Sequence, residues 1–175
     1  MNKKSSYKIK QLVTLSMLIA LEIVLNRFLS INTIGTKIGF SFVPIVIAAV
    51  LFGPVSAGVA YALSDFLGAI LFPIGPYFPG FTVCAFLMGF TYGIFLYRRQ
   101  KYGLIKNVLT PVLINNVLFG LLINTVWVSI LYGSKNYLGW FIYRLPEYAI
   151  LIPVSFITIP FIIKICSILE KSFYS

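Results

Sequence analysis

Histidine is absent from this sequence, and only four of its 175 residues are acidic. Without histidine there is no Ser–His or Cys–His pair for nucleophilic catalysis. Two cysteines, Cys84 and Cys166, together with so few acids, do not make a zinc site of the usual ligand types. There is no GxSxG elbow, no HExxH helix and no Walker A loop. The chain therefore offers no catalytic residue, no metal site, no cofactor site and no means of its own to hydrolyse ATP. It reads as a non-enzyme. If it moves a solute, another protein supplies the energy. Both cysteines lie in apolar stretches, where a thiol behaves as a small hydrophobe.

Charge is scarce as well. Only 10% of residues are charged, whereas 59% are hydrophobic. A helix needs ~20 apolar residues to cross a hydrocarbon core of ~30 Å. The length accommodates six such spans in one membrane domain over residues 1–175, with nothing left for a soluble domain. The spans read as 11–29, 38–52, 55–72, 81–97, 108–132 and 140–169. Gly53-Pro54 marks a tight turn between the second and third. The segment FPIGPYFPGF (72–81), with three prolines in ten residues, is expected to be irregular rather than helical. Pro153 and Pro160 are expected to bend the last span. The first apolar run lacks a small-residue cleavage pattern and reads as a span, not a signal peptide.

The net charge of +10 does not point to nucleic acid, because the cations flank the spans. Lys3, Lys4, Lys8 and Lys10 precede the first span, Arg98, Arg99, Lys101 and Lys106 follow the fourth, and Lys164 and Lys171 lie at the end of the sixth. With six spans all three clusters fall on one face, which the positive-inside rule makes cytoplasmic, with both termini inside. The loops at about 30–37, 73–80 and 133–139 then face outward. Irregular backbone at membrane depth survives only where protein or water covers it. The proline-rich segment is thus a candidate lid or lining for a cavity open to the outside.

The remaining charges are the candidate site. Arg27, Lys37 and Arg144 fall near outer span ends, where the positive-inside rule disfavours cations. Snorkelling to the interface is one reading. An anion site is the other, since arginine suits bidentate recognition of carboxylates. Glu22 and Asp65 lie deeper, where an acid is costly and either paired or functional. Glu147 follows Arg144 by three and shares its helix face, so an internal pair competes with a ligand role. Aromatic residues make up 17% of the chain. Tyr77, Phe78, Phe81, Trp127, Tyr132, Tyr137, Trp140, Phe141 and Tyr143 suit either an interfacial belt or a stacking pocket for a flat ring. Asn115, Asn116 and Asn124 can hydrogen-bond a heterocycle or join helices. Ser16-xxx-Ala20 and Gly58-xxx-Ala62 are small-xxx-small patterns that admit a close helix.

Three stretches, LEIVLNRFLSI (21–31), GTKIGFSFVPIVIAAVLFGPVSAGVAYALSDFLGAILFP (35–73) and GPYFPGFTVCAFLMGFTYGIFLY (75–97), together with RLPEYAILIP (144–153), carry a family likeness. The chain resembles the substrate-binding S components of energy-coupling factor (ECF) vitamin transporters, and most nearly the folate-specific type. The resemblance implies a membrane-embedded, vitamin-binding subunit of the cell membrane. It also implies a transmembrane coupling protein and two cytoplasmic ATPases as partners. Ser16-xxx-Ala20 matches the family's AxxxA motif for the coupling partner, with serine in place of the first alanine. For folate, Arg27, Lys37 and Arg144 are placed to hold the glutamate carboxylates. An acid or amide among Asp65, Glu147 and Asn124 would meet the pterin edge, and Tyr77, Phe78 and Trp127 would stack on its rings. Riboflavin has no carboxylate and biotin no aromatic ring, so either would leave part of this set idle. A structural membrane protein without a solute is the alternative from another class.

Overall fold

A computed structural model of the chain describes residues 3–33, 35–97, 104–132 and 136–174. The basic loop residues Arg98, Arg99 and Lys101, and Lys135, lie outside the described residues. The fold is helical. Helix α1 (Lys3–Arg27) is followed by strands β1 (Ile31–Thr33) and β2 (Thr36–Ile38). Then come α2 (Phe42–Phe52), α3 (Pro54–Leu71) and α4 (Pro79–Leu96). The next long helix is composite, with α5 (Leu104–Leu113), a π-helical stretch (Ile114–Ile123) and α6 (Asn124–Leu131) in one rod, and α7 (Tyr137–Tyr174) ends the chain. Five helical stretches are long and apolar enough to cross a membrane: Tyr7–Arg27, Pro54–Leu71, Pro79–Leu96, Lys106–Leu131 and Tyr137–Ile168. Helix α2 is apolar too but much shorter.

Three local expectations change. The segment expected as a plain loop at 30–37 instead carries an antiparallel hairpin of β1 and β2, with Ile31 opposite Ile38 and Asn32 opposite Lys37. Gly35, at φ 77°, supplies the left-handed conformation its turn needs. Because Ile38 is thereby committed to strand pairing, the helix expected from residue 38 begins only at Phe42. The proline-rich segment is irregular only up to Phe78. Pro79 opens α4, where its missing N–H costs nothing because a first-turn N–H has no helical acceptor. Pro146, Pro153 and Pro160 all lie inside helix α7, the last span.

Small residues decide how the helices meet. Helices α3 and α4 form the most extensive packing pair. A Cβ on Gly89 would lie 2.5 Å from the Ala57 carbonyl oxygen, so the two backbones touch directly. Gly58 packs against Phe86 of α4, which makes its small-residue pattern an internal contact. Helix α2 is enclosed, with eight of its eleven residues buried. An apolar cluster ties the fold together at one end of the helices, joining Leu18, Val46, Ala49, Ala57, Leu96, Val112, Ile159, Ile162 and Cys166. The opposite end is hollow.

Candidate functional site

A cavity of about 750 Å³ occupies the hollow end, within the range of small-molecule sites. Of the residues singled out in the sequence, Arg27, Lys37, Asp65, Tyr77, Phe81, Asn115, Asn116, Asn124, Tyr132, Arg144 and Glu147 line it. They come from α1, β2, α3, the proline-rich segment, α4, the composite rod and α7, so no two neighbouring elements could build it alone. Phe78 and Trp127 are not among its lining residues. They pack on each other at 5.1 Å between ring centroids, and the Trp127 Nε1–H reaches Cys84 Sγ at 3.4 Å. Ser16 and Ala20 are exposed on α1, away from the cavity.

Arg144 is the most constrained of the cations, with 5% of its surface exposed. Its Nε donates to Glu147 Oε2 at 3.4 Å, its Nη1 to Thr125 Oγ1 at 3.2 Å and its Nη2 to the Tyr148 hydroxyl at 2.8 Å. The guanidinium also lies 5.4 Å from the Tyr148 ring centroid. The internal Arg144–Glu147 pair raised as an alternative is therefore present, and it does not exhaust the guanidinium. Of five N–H groups three are engaged, which leaves one on each terminal nitrogen. Glu147 does a second job. Its Oε1 accepts the Lys37 backbone N–H at 3.1 Å, tying the hairpin to α7 across 110 positions of sequence. Gly35 packs on the Trp140 ring, a second hold on the same hairpin.

Arg27 is different. Its guanidinium lies along Gly68 of α3, and its buried Nε has no hydrogen-bond partner. A buried charged donor without a partner is expensive unless a ligand satisfies it. The Lys37 ammonium enters the cavity from β2.

Among the described residues, Asp65 and Glu22 form no salt bridge with these cations. Asp65 Oδ2 accepts the Thr82 hydroxyl at 2.7 Å, and Thr82 in turn meets the Tyr77 hydroxyl at 3.0 Å. That relay fixes the proline-rich rim to α3 and α4. Glu22 is fully buried, and Asn26 donates to its Oε1 at 2.7 Å. No cation pairs with it: among the described residues the ion pair is Arg144–Glu147. Buried oxygens without partners remain at Glu22 Oε2, Asn26 Oδ1, Asn115 Oδ1 and Asn124 Oδ1. Asn26, Asn115 and Asn124 line the cavity, so it presents unmet acceptors as well as unmet cationic donors. That is the complement of a ligand with an anionic group and N–H donors.

Sequence reasoning passed over Asn26, Thr125 and Tyr148. Tyr148 follows Arg144 by four on one helix, a spacing that places both on one face and was readable. Thr125 gives no such signal, because only packing brings α6 to α7. The π-helical stretch was also invisible. It carries Asn115, Asn116 and Gly120 toward the cavity, with Asn124 next in line.

Residues 10–170 match the family described as ECF transporter, substrate-specific component. The chain is 42% identical over 152 residues to a protein of Clostridium novyi (strain NT) named Folate transporter FolT, covering 87% of each chain. A protein of Leuconostoc mesenteroides with the same name is 33% identical over 92 residues, 53% of this chain and 49% of that one. Among solved structures, a crystal structure of FolT bound with folic acid superposes with a TM-score of 0.78 at 35% identity. That match covers 85% of this chain and 88% of the other.

Proposed function

This chain belongs to the substrate-specific components of ECF transporters, and from that premise we propose that it is the folate-binding subunit of such a transporter, a multi-pass protein of the cell membrane. The observation that carries the reading is one cavity combining unsatisfied cationic donors with unsatisfied amide oxygens. Folate has carboxylates at one end and an amino-pyrimidine edge with N–H donors at the other. Arg27, Lys37 and Arg144 take the carboxylates. Asp65 and Asn124 meet the pterin edge, Tyr77 covers it from the rim, and Glu147 orients Arg144 and the hairpin. Phe78 and Trp127 act from behind the rim rather than by stacking. Riboflavin or biotin would leave the cations or the flat-ring contacts unused.

The whole chain forms one six-span domain with both termini cytoplasmic. Helix α2 is the difficult span, because eleven residues rise only ~16 Å against a core of ~30 Å. The strand Thr36–Ile38 precedes it and adds ~10 Å, and residues 39–41 turn the chain into the helix. Thr36, Lys37, Gly39 and Ser41 line the cavity, a place where non-helical backbone is tolerated at membrane depth. Folate enters from outside, and the energy comes from two cytoplasmic ATPases acting through a transmembrane coupling protein that docks on Ser16 and Ala20.

Calorimetry of the purified protein against folate, pteroate, riboflavin and biotin tests the reading. Folate is expected to bind tightest, and pteroate, which lacks the glutamate, more weakly. Equal binding of folate and pteroate refutes the carboxylate assignment, and no binding of any vitamin supports a structural protein instead.

A further inference from the structure

Gly120 is a buried glycine in the middle of a membrane helix, on the π-helical stretch. A Cβ added there would lie 2.5 Å from Tyr148 Cε1 and 2.9 Å from both the ring Cζ and the hydroxyl oxygen. No heavy-atom contact of that length is tolerated, so the Tyr148 ring occupies the space a side chain would need. The ring lines the cavity, so the cavity is where it would have to yield. Tyr148 is 6% exposed, and its hydroxyl is held by Arg144 Nη2 at 2.8 Å. Moving the ring therefore moves the acceptor that sets one arm of the Arg144 guanidinium.

The other arm is set from the same rod. Thr125, fully buried, accepts from Arg144 Nη1 at 3.2 Å and lies five residues beyond Gly120. Glu147 holds the Nε edge. The guanidinium is thus fixed on three sides, and its two remaining N–H groups are the ones that can face the cavity. A fork of donors gives its bidentate strength only when its plane is aimed correctly.

We infer that Gly120 is a positioning residue for the ligand-binding guanidinium: it seats Tyr148, and Tyr148 aims Arg144. The inference rests on the reading of Arg144 as an anion ligand and adds two residues to it. The π-helical winding is part of the device. Its wider turn, about 4.4 residues in place of 3.6, keeps Asn115, Asn116, Gly120 and Asn124 facing one side, where a strict α-helix would turn them progressively away.

The test is a double-mutant cycle on the full chain, with folate affinity measured by calorimetry for Gly120→Ala, Arg144→Ala and the double variant. Gly120→Ala is expected to weaken folate by about tenfold or more in the parent, and by less than about twofold when Arg144 is already alanine. A loss of equal size in both backgrounds means that Gly120 serves packing alone and overturns the relay, as does an unchanged affinity in Gly120→Ala. If Arg144→Ala alone leaves folate affinity intact, the anion reading itself falls, a result visible in the single variant. Should Gly120→Ala fail to fold, Tyr148→Phe replaces it in the cycle. That change keeps the ring on Gly120 and removes only the hydroxyl. Its expected loss is smaller and likewise vanishes beside Arg144→Ala, and persistence there overturns the relay.

Discussion

The two ends of this molecule are built from the same helices by opposite rules. Helix α1 contributes Leu18 to the apolar cluster, then Glu22 and Asn26 toward the hollow end. The composite rod contributes Val108 and Val112 to the cluster, then Asn115 and Asn124 to the cavity. Helix α7 places Arg144 and Glu147 on the cavity and Ile159, Ile162 and Cys166 in the cluster. At the packed end nearly every side chain is apolar and finds its partners within the protein. At the cavity end polar atoms are buried without partners. The difference teaches where stability and function are divided. Lipid tails are as apolar as leucine, so close packing is what holds the cluster end together. The cavity end tolerates unmet donors and acceptors because a ligand supplies what they lack, and it draws its rigidity from the cluster below.

The comparison can be broken most severely at Arg144. Arg144→Ala is expected to weaken folate binding by about 2–5 kcal/mol, the cost of removing one partner from a buried charged set. Calorimetry against folate and pteroate checks it, and the loss should be smaller for pteroate. An equal loss for both would place the glutamate elsewhere. Arg27→Ala should act in the same direction, since its Nε has no other hydrogen-bond partner to lose.

The packed end should respond in the opposite sense. Ile159→Ala, at a fully buried position, should lower stability by about 2–5 kcal/mol through the cavity it leaves. Folate affinity of the protein that remains folded should change by less than about twofold. Thermal unfolding in detergent, run beside calorimetry, separates the two effects. If affinity falls in step with stability, the two ends are not independent.

A smaller effect is expected at Lys37, whose side chain lines the cavity from β2. Lys37→Met should weaken folate by less than Arg144→Ala does, and calorimetry against folate and pteroate checks it. An unchanged affinity would remove Lys37 from the anion site.

The smallest change in binding is expected at Ala20, which is exposed on α1 far from the cavity. Ala20→Trp fills the groove that small residues open on a helix face. Folate binding to the isolated subunit should survive, while uptake and co-purification with the coupling protein fall. Loss of binding together with uptake would mean that the groove serves internal packing.

Much of this protein is written along the chain. Hydropathy and the clustered cations identify a polytopic helical membrane protein, because crossing a bilayer demands long apolar runs whatever the fold. The sequence carries no histidine and no Walker A loop. The scattered charges name the charged residues of the cavity: Arg27, Lys37, Asp65, Arg144 and Glu147 stand out because each is costly in an apolar segment. What the chain could not disclose is how those charges are used. Whether Arg144 pairs with Glu147 or stays available depends on counting its N–H groups against Thr125, which lies on another helix. The Lys37 amide finds Glu147 across 110 residues, and Trp127 turns to Cys84 rather than to the cavity. The hairpin and the π-helical winding likewise depend on neighbours. Burial cost is a property of a residue and its segment, so it can be read from sequence. Hydrogen-bond satisfaction is a property of groups brought together in space, so only the tertiary structure decides it.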